Sequence, residues 1–203
     1  MNCPENEVSE LTGRRHEIKK ELFRKSIHIL SAAVPFFLHI AYWPVISLLS
    51  LVVVVYCISE YARIHGRKIP LISTVTALAA RKRDEDRFVL GPVTLSCGIL
   101  ITALLWKNDY TIGIFALAFG DGSASLAGKL FGRVEVPVTD GKTVAGSLTC
   151  MLAIFLSSFA VSRNAGVSLI LSLVGMVIEI LPLRDFDNLL IPVCIGGLAS
   201  VLL

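Results

Sequence analysis

At 203 residues, with 54% hydrophobic side chains and a mean hydropathy of +0.73, the chain is far too apolar for an ordinary soluble domain. Its net charge of +3 gives no electrostatic case for a nucleic-acid partner. Five scattered cysteines, odd in number and four of them in apolar runs, argue for neither a disulfide framework nor a CxxC metal site.

The expected class is therefore an all-α, polytopic integral membrane protein. Residues 1–25 hold eleven charged side chains, so the start reads as a charged cytoplasmic segment and not as a cleavable signal. Within it, residues 14–25 alternate acid and base at helical spacing, and Glu21 and Lys25 form a favourable i,i+4 pair. Spans of roughly 20 residues are expected at about 27–43, 45–60, 89–106, 111–131, 144–162, 166–182 and 188–203, seven in all. Pro35 is expected to kink the first, Tyr42 and Trp43 to anchor it at the interface, and Pro44 to turn the chain. Residues 69–80 are too short to cross; Leu71, Ile72, Val75, Leu78 and Ala79 share one face, which predicts a helix lying in the membrane surface. The run 81–87 reads as a solvated loop whose charges largely cancel. With the N-terminus inside, seventeen of the nineteen Lys and Arg residues fall on the inner side, and only Lys107 and Arg163 outside.

The fourth expected span is unusual. It carries Asp121 among Gly120, Gly122, Gly128 and Gly132, and an ionised side chain at membrane depth is rarely kept without a use. On one helix, Asp121, Ser125 and Lys129 fall on one face, while Gly120, Ala124, Gly128 and Gly132 form an adjoining face bare enough for another backbone or a ligand. The inside orientation gathers further polar groups at the same membrane face: Arg24, Lys25 and His28, Lys129 and Arg133, Lys142 and Thr143, Gly146 and Ser147, then Glu179, Asp185, Asp187 and Asn188. Cations beside carboxylates suit phosphate handling, the cations offsetting phosphate charge and the carboxylates holding a divalent ion or orienting a nucleophile. Asp121, Glu179 and Asp187 are the expected ligands of Mg²⁺ or another divalent cation. Gly141-Lys142-Thr143 is not a P-loop, because Val136 stands where that motif requires glycine and no strand precedes it. For Lys142 a snorkelling interfacial lysine is the alternative reading. For the Arg24, Lys25 and His28 patch the alternative is positive-inside anchoring with a packed histidine.

Three stretches carry a family resemblance: Arg24-Lys25-Ser26-Ile27-His28; Gly120-Asp121-Gly122-Ser123-Ala124-Ser125 through Gly128 and Phe131-Gly132-Arg133; and Lys142-Thr143-Val144-Ala145-Gly146-Ser147. In this order they resemble the CTP-dependent lipid kinases, a group comprising the dolichol, phytol and diacylglycerol kinases and similar to CDP-diacylglycerol synthases in the CTP-handling region. The resemblance covers most of the chain from about residue 20. It implies that Arg24, Lys25, Asp121 and Gly128 matter for CTP use, and that Lys142, Thr143, Gly146 and Ser147 belong to the nucleotide site. Gly120, Gly122, Ser125, Lys129 and Arg133 join that surface, and Arg24, Lys25, Asp121 and Lys142 are the expected catalytic set.

The function so implied is transfer of the γ-phosphoryl group of CTP to the hydroxyl of a membrane lipid alcohol, diacylglycerol or an isoprenoid such as phytol or a polyprenol. Residues 26–203 would form a single membrane-embedded catalytic domain whose site faces the cytoplasm. The partners are then CTP, the lipid alcohol and the bilayer. Cytidylyl transfer to phosphatidic acid and a small secondary transporter are the alternatives. A transporter would place polar groups on a path to both faces and show internal repeats, whereas here they cluster on one face and no repeat is seen.

Overall fold

The computed structural model describes residues 20–67, 87–137, 139 and 141–203. The surface helix expected at 69–80, the charged run up to residue 86 and most of the N-terminal charged segment lie outside the described residues. Helix α1 occupies residues 20–30 and passes through a 3-10 turn, Ser31–Ala33, into α2, Val34–Ile40. Helices α3 (Tyr42–Ile64) and α4 (Gly91–Leu105) follow. Next comes one 22-residue helix, Tyr110–Phe131, made of α5 (Tyr110–Phe115), a π turn (Ala116–Asp121) and α6 (Gly122–Phe131). Helices α7 (Val144–Ser162), α8 (Ala165–Ile180) and α9 (Asp187–Leu202) complete the fold.

The first expected connection is corrected. The chain breaks at Ala41, whose backbone (φ −145°, ψ 72°) leaves the helical region, and Pro44 lies inside the first turn of α3. A first-turn proline has no intrahelical acceptor to lose, so it continues the helix instead of turning it. Pro35 likewise sits in the first turn of α2, and the irregular backbone precedes it.

Among the described residues, three helices are long and apolar enough to cross a membrane: α3, Tyr110–Phe131 and α7. Helices α4, α8 and α9 are apolar but have 15, 16 and 16 residues, which at 1.5 Å per residue gives roughly 24 Å or less. Exposed Leu48, Leu51, Val52, Val54, Val55 and Ile58 cover α3, an apolar surface suited to lipid and not to water.

Tyr110–Phe131 lies at the centre, with α7, α8 and α9 packed around it and α4 against α9. Ile112, Ile114, Leu117, Ile154, Leu171, Ile191 and Ile195 form its fully buried core. The small-residue face of α6 meets a second backbone: a Cβ at Gly146 of α7 would stand 2.9 Å from the Ala124 carbonyl, and one at Gly128 2.9 Å from the Thr143 hydroxyl. Glycine at both positions is what permits this approach. It brings the start of α7 alongside the polar face of α6.

Candidate functional site

Five elements converge on a cavity of about 460 Å³: α1, α6, the start of α7, the end of α8 and the start of α9 with the turn before it. Asp121, the last residue of the π turn, lines it and is buried. A π turn widens the helix by one residue and is found mostly at functional positions. Here it marks where the apolar half of the central helix gives way to Asp121, Ser125 and Lys129.

Lys25 of α1 reaches across and donates from Nζ to Oδ2 of Asp121 at 2.6 Å, with both residues buried. Nδ1 of His28 lies 2.8 Å from the same oxygen, a close contact short of an aligned hydrogen bond. His28 is not part of the cavity wall, whereas Arg24 and Lys25 are. The expected patch of three side chains is thus split: two face the cavity and His28 stands behind Asp121.

One turn outward, Glu21 gathers three groups. Arg24 donates to its Oε1 at 2.5 Å, the Ser125 hydroxyl donates to the same oxygen, and Lys129 donates to Oε2 at 3.1 Å. Burial alone would raise its carboxyl. Arg24, Lys25, the Ser125 hydroxyl and Lys129 overrule that and hold it down to about 2. The sequence pairs Glu21 only with Lys25, as a surface ion pair of an alternating charged helix, whereas in the structure Lys25 goes to Asp121 and Glu21 takes other partners. Its contacts with Ser125 and Lys129 come from residues about a hundred positions away.

At the opposite wall, a short hairpin presents Lys142. Val136 N–H donates to the Lys142 carbonyl at 2.8 Å, and Val144 N–H to the Val134 carbonyl at 3.0 Å. The Thr143 hydroxyl then caps α7, accepting from Gly146 N–H at 3.2 Å. Lys142 Nζ donates to the backbone carbonyl of Glu179 and lies 3.4 Å from its carboxylate and 3.7 Å from that of Asp187. It thereby serves an unpaired carbonyl of the last turn of α8, where a cation also suits the helix dipole. Ser147 faces the same group, donating to Glu179 Oε2 at 3.0 Å. Asp187, which precedes the last expected span, is pushed up to about 6 by burial and by the charge of Asp121, against the opposing pull of Lys142 and Lys25.

Among the described residues no three His, Cys, Asp or Glu side chains form a ready cation cage. Asp121, Glu179 and Asp187 do not meet as a trio, because lysines already stand against them: Lys25 on Asp121, and Lys142 between the other two. Ser125, Gly128, Lys129, Lys142, Thr143, Gly146, Glu179 and Asp187 all line the cavity with Asp121, Arg24 and Lys25. Other expected residues do not. Gly120 packs over Ile154 and Cys150, Gly122 over Ile29, and Ser147 is buried behind Glu179. Arg133 is exposed beyond the end of α6. Arg184, one of the seventeen inner-side Lys and Arg residues, lines the cavity from a left-handed backbone position (φ 56°).

Comparison with known proteins supplies kinship. The probable phytol kinase 1, chloroplastic, of Glycine max is 28% identical over 167 residues, which cover 73% of this chain and 50% of the relative. Phytol kinase 1, chloroplastic, of Arabidopsis thaliana is 27% identical over 213 residues, 88% of this chain and 66% of the relative. The chain is a relative of the phytol and dolichol kinases. Dolichol kinase of Saccharomyces cerevisiae is 29% identical over 107 residues, 51% of this chain and 20% of that much longer protein. The chain thus spans about half the length of the soybean relative and about two thirds of the Arabidopsis one. No family model and no solved structure matches it.

Proposed function

We propose that the chain is an integral-membrane kinase that moves the γ-phosphoryl group of CTP to the hydroxyl of an isoprenoid alcohol of the phytol or polyprenol type. The observation that carries this reading is the buried Lys25–Asp121 pair in the wall of a cavity shared by cations and carboxylates, in a chain related to phytol and dolichol kinases.

Phosphoryl transfer needs positioning and charge neutralisation more than covalent chemistry. Arg24 and Lys129 at one wall and Lys142 at the other would take phosphate oxygens, and the start of α7 adds backbone N–H groups. The alcohol O–H bond breaks as its oxygen bonds to the γ-phosphorus, the β–γ bridging bond breaks to leave CDP, and Asp121 orients the hydroxyl or accepts its proton. Asp121 and Asp187 would hold a divalent cation: both are hard oxygen donors lining one cavity, and burial beside the charge of Asp121 raises Asp187 to about 6 even with Lys142 3.7 Å away, a surplus of negative charge that a cation would relieve. Two carboxylates suffice for Mg²⁺ when substrate phosphates complete its shell, and the ion would offset charge on the transferring group. In the cell the cavity faces the cytoplasm, by the distribution of Lys and Arg.

Purified protein incubated with phytol or a polyprenol and CTP labelled separately at the α and γ phosphates tests the reading. Lipid labelled only from γ is expected. Label arriving from α would overturn it in favour of cytidylyl transfer, and label from neither would remove the enzyme assignment.

A further inference from the structure

His28 lies outside the cavity wall, yet it stands against the one carboxylate oxygen that Lys25 also holds. Lys25 Nζ and His28 Nδ1 are 2.6 and 2.8 Å from Oδ2 of Asp121. They are three residues apart on α1 and so share a face. No hydrogen-bond partner for Oδ1 occurs among the described residues, and Asp121 lines the cavity. The backbone is arranged for this approach. Gly122, next to Asp121, faces α1, where a Cβ would stand 3.1 Å from Ile29 and 3.9 Å from Cβ of His28. Nδ1 of His28 is buried and has no aligned partner, and a polar atom left so is destabilising unless something else requires its position.

Resting on the kinase reading above, we propose that His28 is a positioning residue for Asp121. Lys25 and His28 fix Oδ2 from α1, so that Oδ1 is turned into the cavity as the oxygen available to the acceptor hydroxyl or a cation. A group that orients a ligating or reacting side chain without touching substrate typically changes rate by about 10- to 100-fold when removed.

The test compares His28→Phe, which keeps the ring volume without a polar atom, with His28→Asn, which keeps a donor near the position of Nδ1. Expected for His28→Phe is a kcat lower by roughly 10- to 100-fold, with the KM for CTP and the thermal midpoint little changed, and recovery of most of that loss in His28→Asn. Full activity in His28→Phe overturns the proposal. So does equal loss in both variants at unchanged stability, or a loss confined to KM. A second readout needs no turnover: the carboxylate infrared bands of Asp121, isolated by subtracting the Asp121→Asn protein in the absence of substrate. Inequivalent oxygens split the two stretching bands widely, and His28→Phe is expected to narrow the splitting where His28→Asn does not. An unchanged splitting in His28→Phe overturns the positioning role even if wild-type protein transfers no phosphate to any alcohol, an outcome that would sink the kinase reading separately. If His28→Phe fails to fold, a wild-type kcat and splitting in His28→Gln, whose longer side chain displaces the donor, overturns the proposal.

Discussion

Asp121 and Lys25 form a buried pair whose two halves come from distant parts of the chain. Removing one partner of such a pair leaves an uncompensated charge and destabilises by about 3–5 kcal/mol. Lys25→Met is therefore expected to lower the thermal midpoint markedly, and adding Asp121→Asn in that background to restore part of it; a double-mutant cycle on unfolding midpoints measures the coupling. Asp121→Asn alone is expected to lower kcat by roughly 10²–10³-fold in the γ-labelled CTP assay. Glu21 makes a pH prediction. Its carboxyl lies near 4.5 ordinarily and near 2 in the fold, so the folded state favours its ionised form. That stabilisation is fully present above about pH 4.5 and is lost as pH falls through about 2. Melting curves from about pH 6 down to about pH 2 should show the advantage of wild type over Glu21→Gln shrinking across that window.

At the scale of elements, the central helix and α7 depend on missing side chains. A Cβ at Gly146 would press on a backbone carbonyl, which cannot swing aside as a flexible side-chain tip can. Gly146→Ala is expected to destabilise by roughly 1–3 kcal/mol, the usual effect of overpacking, and to lower activity by moving Thr143 and Lys142. Gly166, in the first turn of α8, has only the Asn164 side chain at an ordinary 3.5 Å; Gly166→Ala should leave the midpoint within about 1 kcal/mol of wild type or raise it. Thermal unfolding of both variants in one detergent checks the contrast. The face Asp121, Ser125, Lys129 was legible in the sequence because i, i+4 spacing is a local property of a helix. The π turn that ends at Asp121 was not legible, since nothing in Ala116 to Gly120 marks the wider turn.

At the scale of the molecule, every group of the candidate site lies at one end of the bundle, where α1, the end of α6, the start of α7, the end of α8 and the start of α9 meet. On the proposed topology, with most Lys and Arg on the inner side, that end would face inside. Single cysteines introduced at Arg133 and at Leu203, in a protein whose own cysteines are replaced, should react with an impermeant maleimide only in inverted vesicles and only in right-side-out vesicles respectively. Labelling of both from the same side would contradict the inferred topology.

The sequence by itself determined the apolar helical class, the Asp121 helix with its polar and small-residue faces, and a supply of cations and carboxylates of the types expected for phosphate handling. Those follow from composition, periodicity and charge count, which are local or additive. Only the tertiary structure decided which of these residues meet: that Lys25 pairs with Asp121, that Glu21 ties Arg24 to Ser125 and Lys129, that Lys142 stands between Glu179 and Asp187, and that Gly120, Gly122, Ser147 and Arg133 stand off the cavity wall. Pairings between helices separated by about a hundred residues depend on how bare faces dock. The docking is set by where a missing Cβ lets two backbones close, which no spacing within one helix specifies.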